Sequence, residues 1–202
     1  MNSPQTLFDS HLPPLAERVR PKTIDEFYGQ AHLVDEGKIL HRLLDQSASF
    51  SMIFWGPPGT GKTTLARMIA KSSDAKIREL SAVSSGVKDL REVITFAKSN
   101  REMGQKTILF IDEIHRFSKS HQDALLHAVE DGTITLFAAT TENPSFEVIS
   151  PLLSRCRVLT LKSLEKSHLQ NILNNVLEKD VILSKSSITI NNSEKDIIIY
   201  SD

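Results

Sequence analysis

The 202-residue chain holds one cysteine, Cys156. One thiol cannot close an internal disulfide, and no cysteine pair offers a metal-binding spacing, so a reducing interior is the expected setting. No apolar run reaches membrane-spanning length, and residues 1–14 are polar and proline-containing, without the apolar stretch of a signal peptide. A soluble cytosolic protein with no membrane partner is the expectation. Charge of one sign is missing too: 24 Lys and Arg face 25 Asp and Glu, a formal net charge of −1. Such balance exerts no global pull toward nucleic acid, so DNA affinity needs a local patch or oligomerisation. There is no repeat and no low-complexity tract. Hydrophobic residues at 40% and charged residues at 24% suit a packed core. The length suits one full domain and part of a second.

Short apolar runs at 51–55, 75–80, 107–111, 134–139 and 157–161 read as strands. Between them lie stretches of helical spacing. Ile39, Leu40, Leu43 and Leu44 mark one. Residues 63–71 mark a second, and Val87, Leu90, Val93, Ile94 and Ala97 a third. A fourth runs through 123–130. Alternating strands and helices predict an α/β fold with a parallel sheet covered on both faces. From 163 the pattern changes to one amphipathic helix carrying Leu164, Leu169, Ile172, Leu173, Val176 and Leu177, with no strand beside it. The expected organisation is an arm over 1–13, a core over 14–162, and an incomplete helical segment over 163–202.

Gly56-Pro57-Pro58-Gly59-Thr60-Gly61-Lys62-Thr63-Thr64 follows the first strand and opens a helix. It fits G-x-x-x-x-G-K-[ST], which average residue frequencies produce by accident in about 1% of chains of this length. Glycines let the backbone curl so that successive N–H groups face a phosphate, and the following helix aims its positive end at the same anion. Lys62 would neutralise the β- and γ-phosphates, and the Thr63 hydroxyl would ligate Mg²⁺. Residues 108–111 run into Asp112 and Glu113. If that strand lies beside the phosphate-loop strand, Asp112 comes near the metal and Glu113 can polarise a water toward the γ-phosphate. The competing reading is a pair of acids opening a helix for dipole reasons. At the tip of the fourth strand, Thr141, with Asn143 as second choice, can reach between the acids and the γ-phosphate; the alternative is a turn stopped by Pro144. Arg155, just before the fifth strand, is placed to reach a neighbouring subunit rather than its own nucleotide. A solvated surface charge is the alternative for Arg155. The evenly spaced His115, His121 and His127 do not share a helical face and do not match metal-ligand spacing, so they read as solvated or structural. Cys156 reads as a small core filler.

The order Arg20-Pro21-Lys22-Thr23, Gly29-Gln30, GPPGTGKT, ILFIDE, AATTENP and LLSRCRV resembles an AAA+ ATPase of the clamp-loader clade. Ile114-His-Arg-Phe117, Val129-Glu-Asp-Gly-Thr133 and the run from Thr140 to Val148 narrow the resemblance to the replication-associated recombination protein A family, over about residues 14–180. That resemblance implies a P-loop core with five parallel strands in the order 5-1-4-3-2, plus the start of a helical lid. It implies ATP and Mg²⁺ as ligands, Lys62 and Thr63 as the Walker A pair, and Asp112 and Glu113 as the Walker B pair. It makes Thr141 the first sensor and Arg155 a trans-acting finger, and puts Tyr28 and Gly29 beside the adenine.

Family members are homo-oligomers, here expected as a tetramer in the full-length protein. They act at stalled forks on single-stranded, gapped or forked DNA, with single-stranded DNA-binding protein as partner, in the bacterial cytosol or nucleoid. A lid arginine in a Gly-Asp-x-Arg segment is expected beyond Asp202, so this chain is expected to bind ATP and turn it over weakly alone. A clamp-loader subunit or a Holliday-junction branch-migration ATPase is the nearest alternative. A small-molecule kinase would have no use for Glu113, and Lys62, Asp112 and Glu113 together argue against a nucleotide-locked scaffold.

Overall fold

A computed structural model describes residues 12–46 and 50–185. Most of the expected arm and the end of the expected lid lie outside them. In chain order, α1 (Leu15–Arg18), α2 (Ala31–Val34) and α3 (Ile39–Gln46) precede β1 (Met52–Trp55). Then α4 (Lys62–Ser72) leads to β2 (Lys76–Ser81), and α5 (Val87–Glu102) to β3 (Thr107–Asp112). Next, α6 (Lys119–Glu130) leads to β4 (Thr135–Thr140), α7 (Pro144–Glu147) and α8 (Ser150–Leu153) to β5 (Arg157–Thr160), and α9 (Lys166–Lys179) follows. The five strands anticipated from apolar runs are present, each within a residue or so of its expected bounds.

All pairings are parallel, and the order is β2-β3-β4-β1-β5. Read from the β5 edge this is the expected 5-1-4-3-2. The residues sort by place in the sheet. β1, β3 and β4 are almost wholly buried, as their unbroken apolar runs require when both faces are covered. The edge strands β2 and β5 carry Lys76, Arg78, Glu79 and Arg157 on exposed positions, which keeps their open backbones solvated. One face packs Ile53, Leu109, Ile111, Leu136 and Ala138 against Leu90, Val93 and Ala97 of α5, Leu125 and Ala128 of α6, and Leu152 of α8. On the other face Phe54 and Phe137 meet edge to face, ring centroids 6.0 Å apart. Each such buried side chain contributes roughly 1.5–3 kcal/mol of transfer free energy.

As that order requires, β4 runs between β1 and β3, so the phosphate-loop strand and the acidic strand are not immediate neighbours. The tips of three strands therefore line up as loop, threonines, acids. One compact unit spans 30–163, and residues up to 29 group with those from 164 onward in a second unit. The reason is polar. Arg18 grips Asp180 through Nε at 2.7 Å and Nη2 at 3.0 Å, and Lys179 reaches Glu26 at 3.2 Å. The paired guanidinium holds the Asp180 carboxyl down at about 2.

Candidate nucleotide-binding site

The C-terminal ends of parallel strands are where an α/β sheet gathers ligand groups. β1 ends at Trp55, and the chain curls through Gly56, Pro57, Pro58, Gly59, Thr60 and Gly61 before α4 starts at Lys62. Gly61 makes the last bend in the left-handed region, φ 94°, which a β-carbon would resist. No side chain caps α4, so its first N–H groups are kept for another acceptor. The Thr60 hydroxyl donates to the Pro57 carbonyl at 2.9 Å and braces the turn. Lys62 is 8% exposed, and its Nζ donates to the carbonyls of Gly56 at 2.7 Å and Pro57 at 2.8 Å, so the lysine spans its own loop. Thr63 and Thr64 complete the first helical turn, Thr64 buried.

β4 ties this loop to the acids. The Gly56 N–H donates to the Thr140 carbonyl at 3.2 Å. One residue further, the Thr141 hydroxyl donates to Glu113 Oε2 at 3.3 Å. Glu113 leaves β3 in the left-handed region, φ 55°, and opens a 3-10 turn over Ile114–Arg116. A non-glycine residue in that conformation is uncommon, and it turns the carboxylate toward the β4 tip. The charges act on one another. Burial pushes the Lys62 ammonium below the usual lysine value, while Glu113 and Asp112 pull it back up. Burial, then the neighbouring Glu113 charge, holds the Asp112 carboxyl above the ordinary aspartate value, against the pull of Lys62.

The structure thus brings together the loop, Lys62, Asp112, Glu113 and Thr141. The other residues singled out in the sequence have contacts of their own. Asn143 spends its side chain capping α7, accepting from the Ser145 N–H at 3.0 Å. Arg155 is exposed, with Nη1 donating to the Pro151 carbonyl at 2.7 Å and Nη2 paired with Glu130 at 2.5 Å. Tyr28 and Gly29 belong to the second unit, where Gly29 packs against Leu164 and His168. Cys156 packs against the core, its thiol pushed up to about 12 by burial. Of the three evenly spaced histidines, His121 stacks on Phe117 and bonds Ser118, and His127 lies near Glu130 at the surface. His115 differs: its Nδ1 lies 3.1 Å from Glu113 Oε2 and 3.0 Å from Thr140 Oγ1. Its signal was its place two residues after the acidic pair, which a search for metal spacing passes over.

A curled glycine loop with a buried lysine, a helix N-terminus behind it, and two carboxylates from a strand two places away define a P-loop nucleotide-binding domain. The model of the ATPase family associated with various cellular activities (AAA) matches residues 52–164. Over 165 residues the chain is 52% identical to replication-associated recombination protein A of Haemophilus influenzae, covering 82% of this chain and 37% of that protein. The protein of the same name from Escherichia coli K12 is 53% identical over 170 residues, 84% of this chain and 38% of that one. Among solved structures, the Holliday junction branch migration motor RuvB of Thermotoga maritima superposes with a TM-score of 0.66 at 31% identity, covering 80% of this chain and 54% of that one. This chain belongs to the AAA family of ATPases, in the branch of the replication-associated recombination protein A proteins. It spans little more than a third of the length of those curated relatives.

Proposed function

We propose that this chain is the ATP-binding and ATP-hydrolysing core of a DNA replication, recombination and repair factor. It acts at stalled forks on single-stranded, gapped or forked DNA. It works as a homo-oligomer, a tetramer in the full-length protein, with single-stranded DNA-binding protein as partner, in the bacterial cytosol or nucleoid. The observation that carries the reading is the Thr141–Glu113 contact at 3.3 Å, one residue from the Thr140 carbonyl that holds the phosphate loop. A nucleotide binder that does no hydrolysis needs the loop and the lysine but not an oriented second carboxylate. The branch-migration reading shares the fold, but its likeness is 31% identity against 53%.

Lys62 leaves its two loop carbonyls for the phosphate oxygens, and the loop and α4 N–H groups bind the same anion. Thr63 and Asp112 are the residues that would hold a Mg²⁺ ion. A half-buried carboxylate whose proton affinity is raised by burial and then by the Glu113 charge is a site that a dication relieves. Among the described residues no cluster of three His, Cys, Asp or Glu forms a metal cage. Magnesium needs none when substrate phosphates and water complete its shell. Mg²⁺, when bound, neutralises charge on the phosphates. Glu113 accepts the proton of the attacking water, and Thr141 holds that carboxylate at the β4 tip. Arg155 serves a neighbour's γ-phosphate and exchanges its Glu130 partner for that anion.

A coupled assay of phosphate release, with and without forked DNA and beside a panel of small phosphate acceptors, tests the reading. ATP consumption with free phosphate as product, raised by DNA, is expected. Arg155→Ala should spare nucleotide binding and lower turnover only in assembled protein. Phosphoryl transfer to an acceptor, or an equal loss in isolated chains, would refute it.

A further inference from the structure

We propose that His115 is a positioning residue for Glu113: its Nδ1–H and the Thr141 hydroxyl together anchor one carboxylate oxygen and leave the other to take a proton from water. This rests on the hydrolytic reading of the site. His115 lies in the 3-10 turn that follows β3, and its side chain is 9% exposed. A buried ring nitrogen must find a partner, and Nδ1 has two, Thr140 Oγ1 at 3.0 Å and Glu113 Oε2 at 3.1 Å.

The neighbouring hydrogen bonds favour one placement of the proton. The single hydrogen of the Thr140 hydroxyl goes to the Glu142 carbonyl at 3.2 Å, while the Glu142 N–H donates to the same oxygen at 3.0 Å. With its hydrogen on the Glu142 carbonyl, Thr140 accepts from His115. An ionised Glu113 can only accept as well. In that arrangement Nδ1 carries the hydrogen and points it at Thr140 Oγ1, with Glu113 Oε2 3.1 Å away.

Glu113 Oε2 thus accepts from the Thr141 hydroxyl and has His115 Nδ1 at 3.1 Å on another side. Oε1 accepts no protein hydrogen bond among the described residues. One anchored oxygen and one open oxygen suit a base that must meet a water in a fixed direction. The left-handed backbone at Glu113, φ 55°, is what folds the residue two places on back toward its carboxylate. Such a conformation persists where surrounding contacts over-determine it.

The test has two arms. In this chain carrying ¹⁵N-histidine, imidazole ¹⁵N–¹H spectra should show one buried ring as the Nδ1–H tautomer. That signal should vanish in H115N and shift in both E113Q and T140A. In the second arm, turnover and affinity for a fluorescent ATP analogue are measured for H115A, H115Q and H115N. H115A and H115Q should lose turnover about 10–100-fold with little change in affinity. H115N should regain most of it, because the asparagine amide N–H falls where Nδ1–H was and the glutamine amide does not. An Nε2–H ring, a signal that E113Q leaves in place, or full turnover in H115A overturns the inference. An unmutated chain that binds nucleotide without turnover, its His115 signature intact, counts against the proposed hydrolysis instead.

Discussion

Replacing Lys62 by methionine separates the two tasks of that side chain. In the ligand-free protein its ammonium makes two hydrogen bonds, to Gly56 and Pro57, at 2.7 and 2.8 Å. Their loss is opposed by the release of a charge that burial disfavours, since the residue is only 8% exposed. Methionine keeps the apolar stem. The ligand-free melting temperature should therefore move by no more than about 3 °C. Nucleotide binding is a different matter. Two charge-assisted bonds to phosphate, at roughly 1.5–3 kcal/mol each, amount to about 3–6 kcal/mol, a loss of 10²-fold or more in affinity. At a nucleotide concentration about 100 times Kd, binding stabilises the unmutated chain by ~2.7 kcal/mol, a rise of about 5–11 °C at this size. Under the same conditions Lys62→Met should gain less than ~0.5 kcal/mol, about 2 °C at most. Thermal denaturation followed by circular dichroism, with and without Mg·ATP, reads both numbers. A full nucleotide-dependent rise in Lys62→Met would refute the role of this lysine.

Three further perturbations address other parts of the structure. Glu113→Gln should keep the nucleotide-dependent rise in melting temperature while phosphate release stops, and continued release would move the base elsewhere. Gly56→Ala should destabilise the core by about 1–3 kcal/mol or more in urea titration, because a β-carbon there collides with the Leu161 carbonyl; an unchanged midpoint would contradict the close approach of β5 to the loop. The carboxyl of Asp180 is held at about 2, below its unfolded value near 4, chiefly by Arg18. Its contribution to stability is therefore complete above pH ~4 and lost as pH falls toward ~2. Arg18→Gln should raise the Asp180 carboxyl toward the ordinary value in an NMR titration, and an unmoved titration would break the assigned pair.

Local pattern was enough for the elements and for the loop. Apolar runs report burial on both faces, so β1, β3 and β4 could be read directly from 51–55, 107–111 and 134–139. The glycine and lysine spacing of 56–63 carries its own chemistry, because a phosphate cradle is made from consecutive residues. Thr141 could also be singled out, as the hydroxyl at the end of an apolar strand.

The remaining features depend on which strand tips meet. Placing β4 between β1 and β3 is a matter of sheet order, set by packing between residues far apart in the chain, and it brings Thr140 and Thr141 between the loop and the acids. That order gave His115 its Thr140 partner, while Asn143 caps α7 through a local bond to the Ser145 N–H. Arg155 came to rest on Glu130 because α6 passes beside it, and residues up to 29 left the core because Arg18 found Asp180. Periodicity tells a residue which way to face; the carboxylate or carbonyl it then meets belongs to a distant part of the chain, and only the folded packing names it.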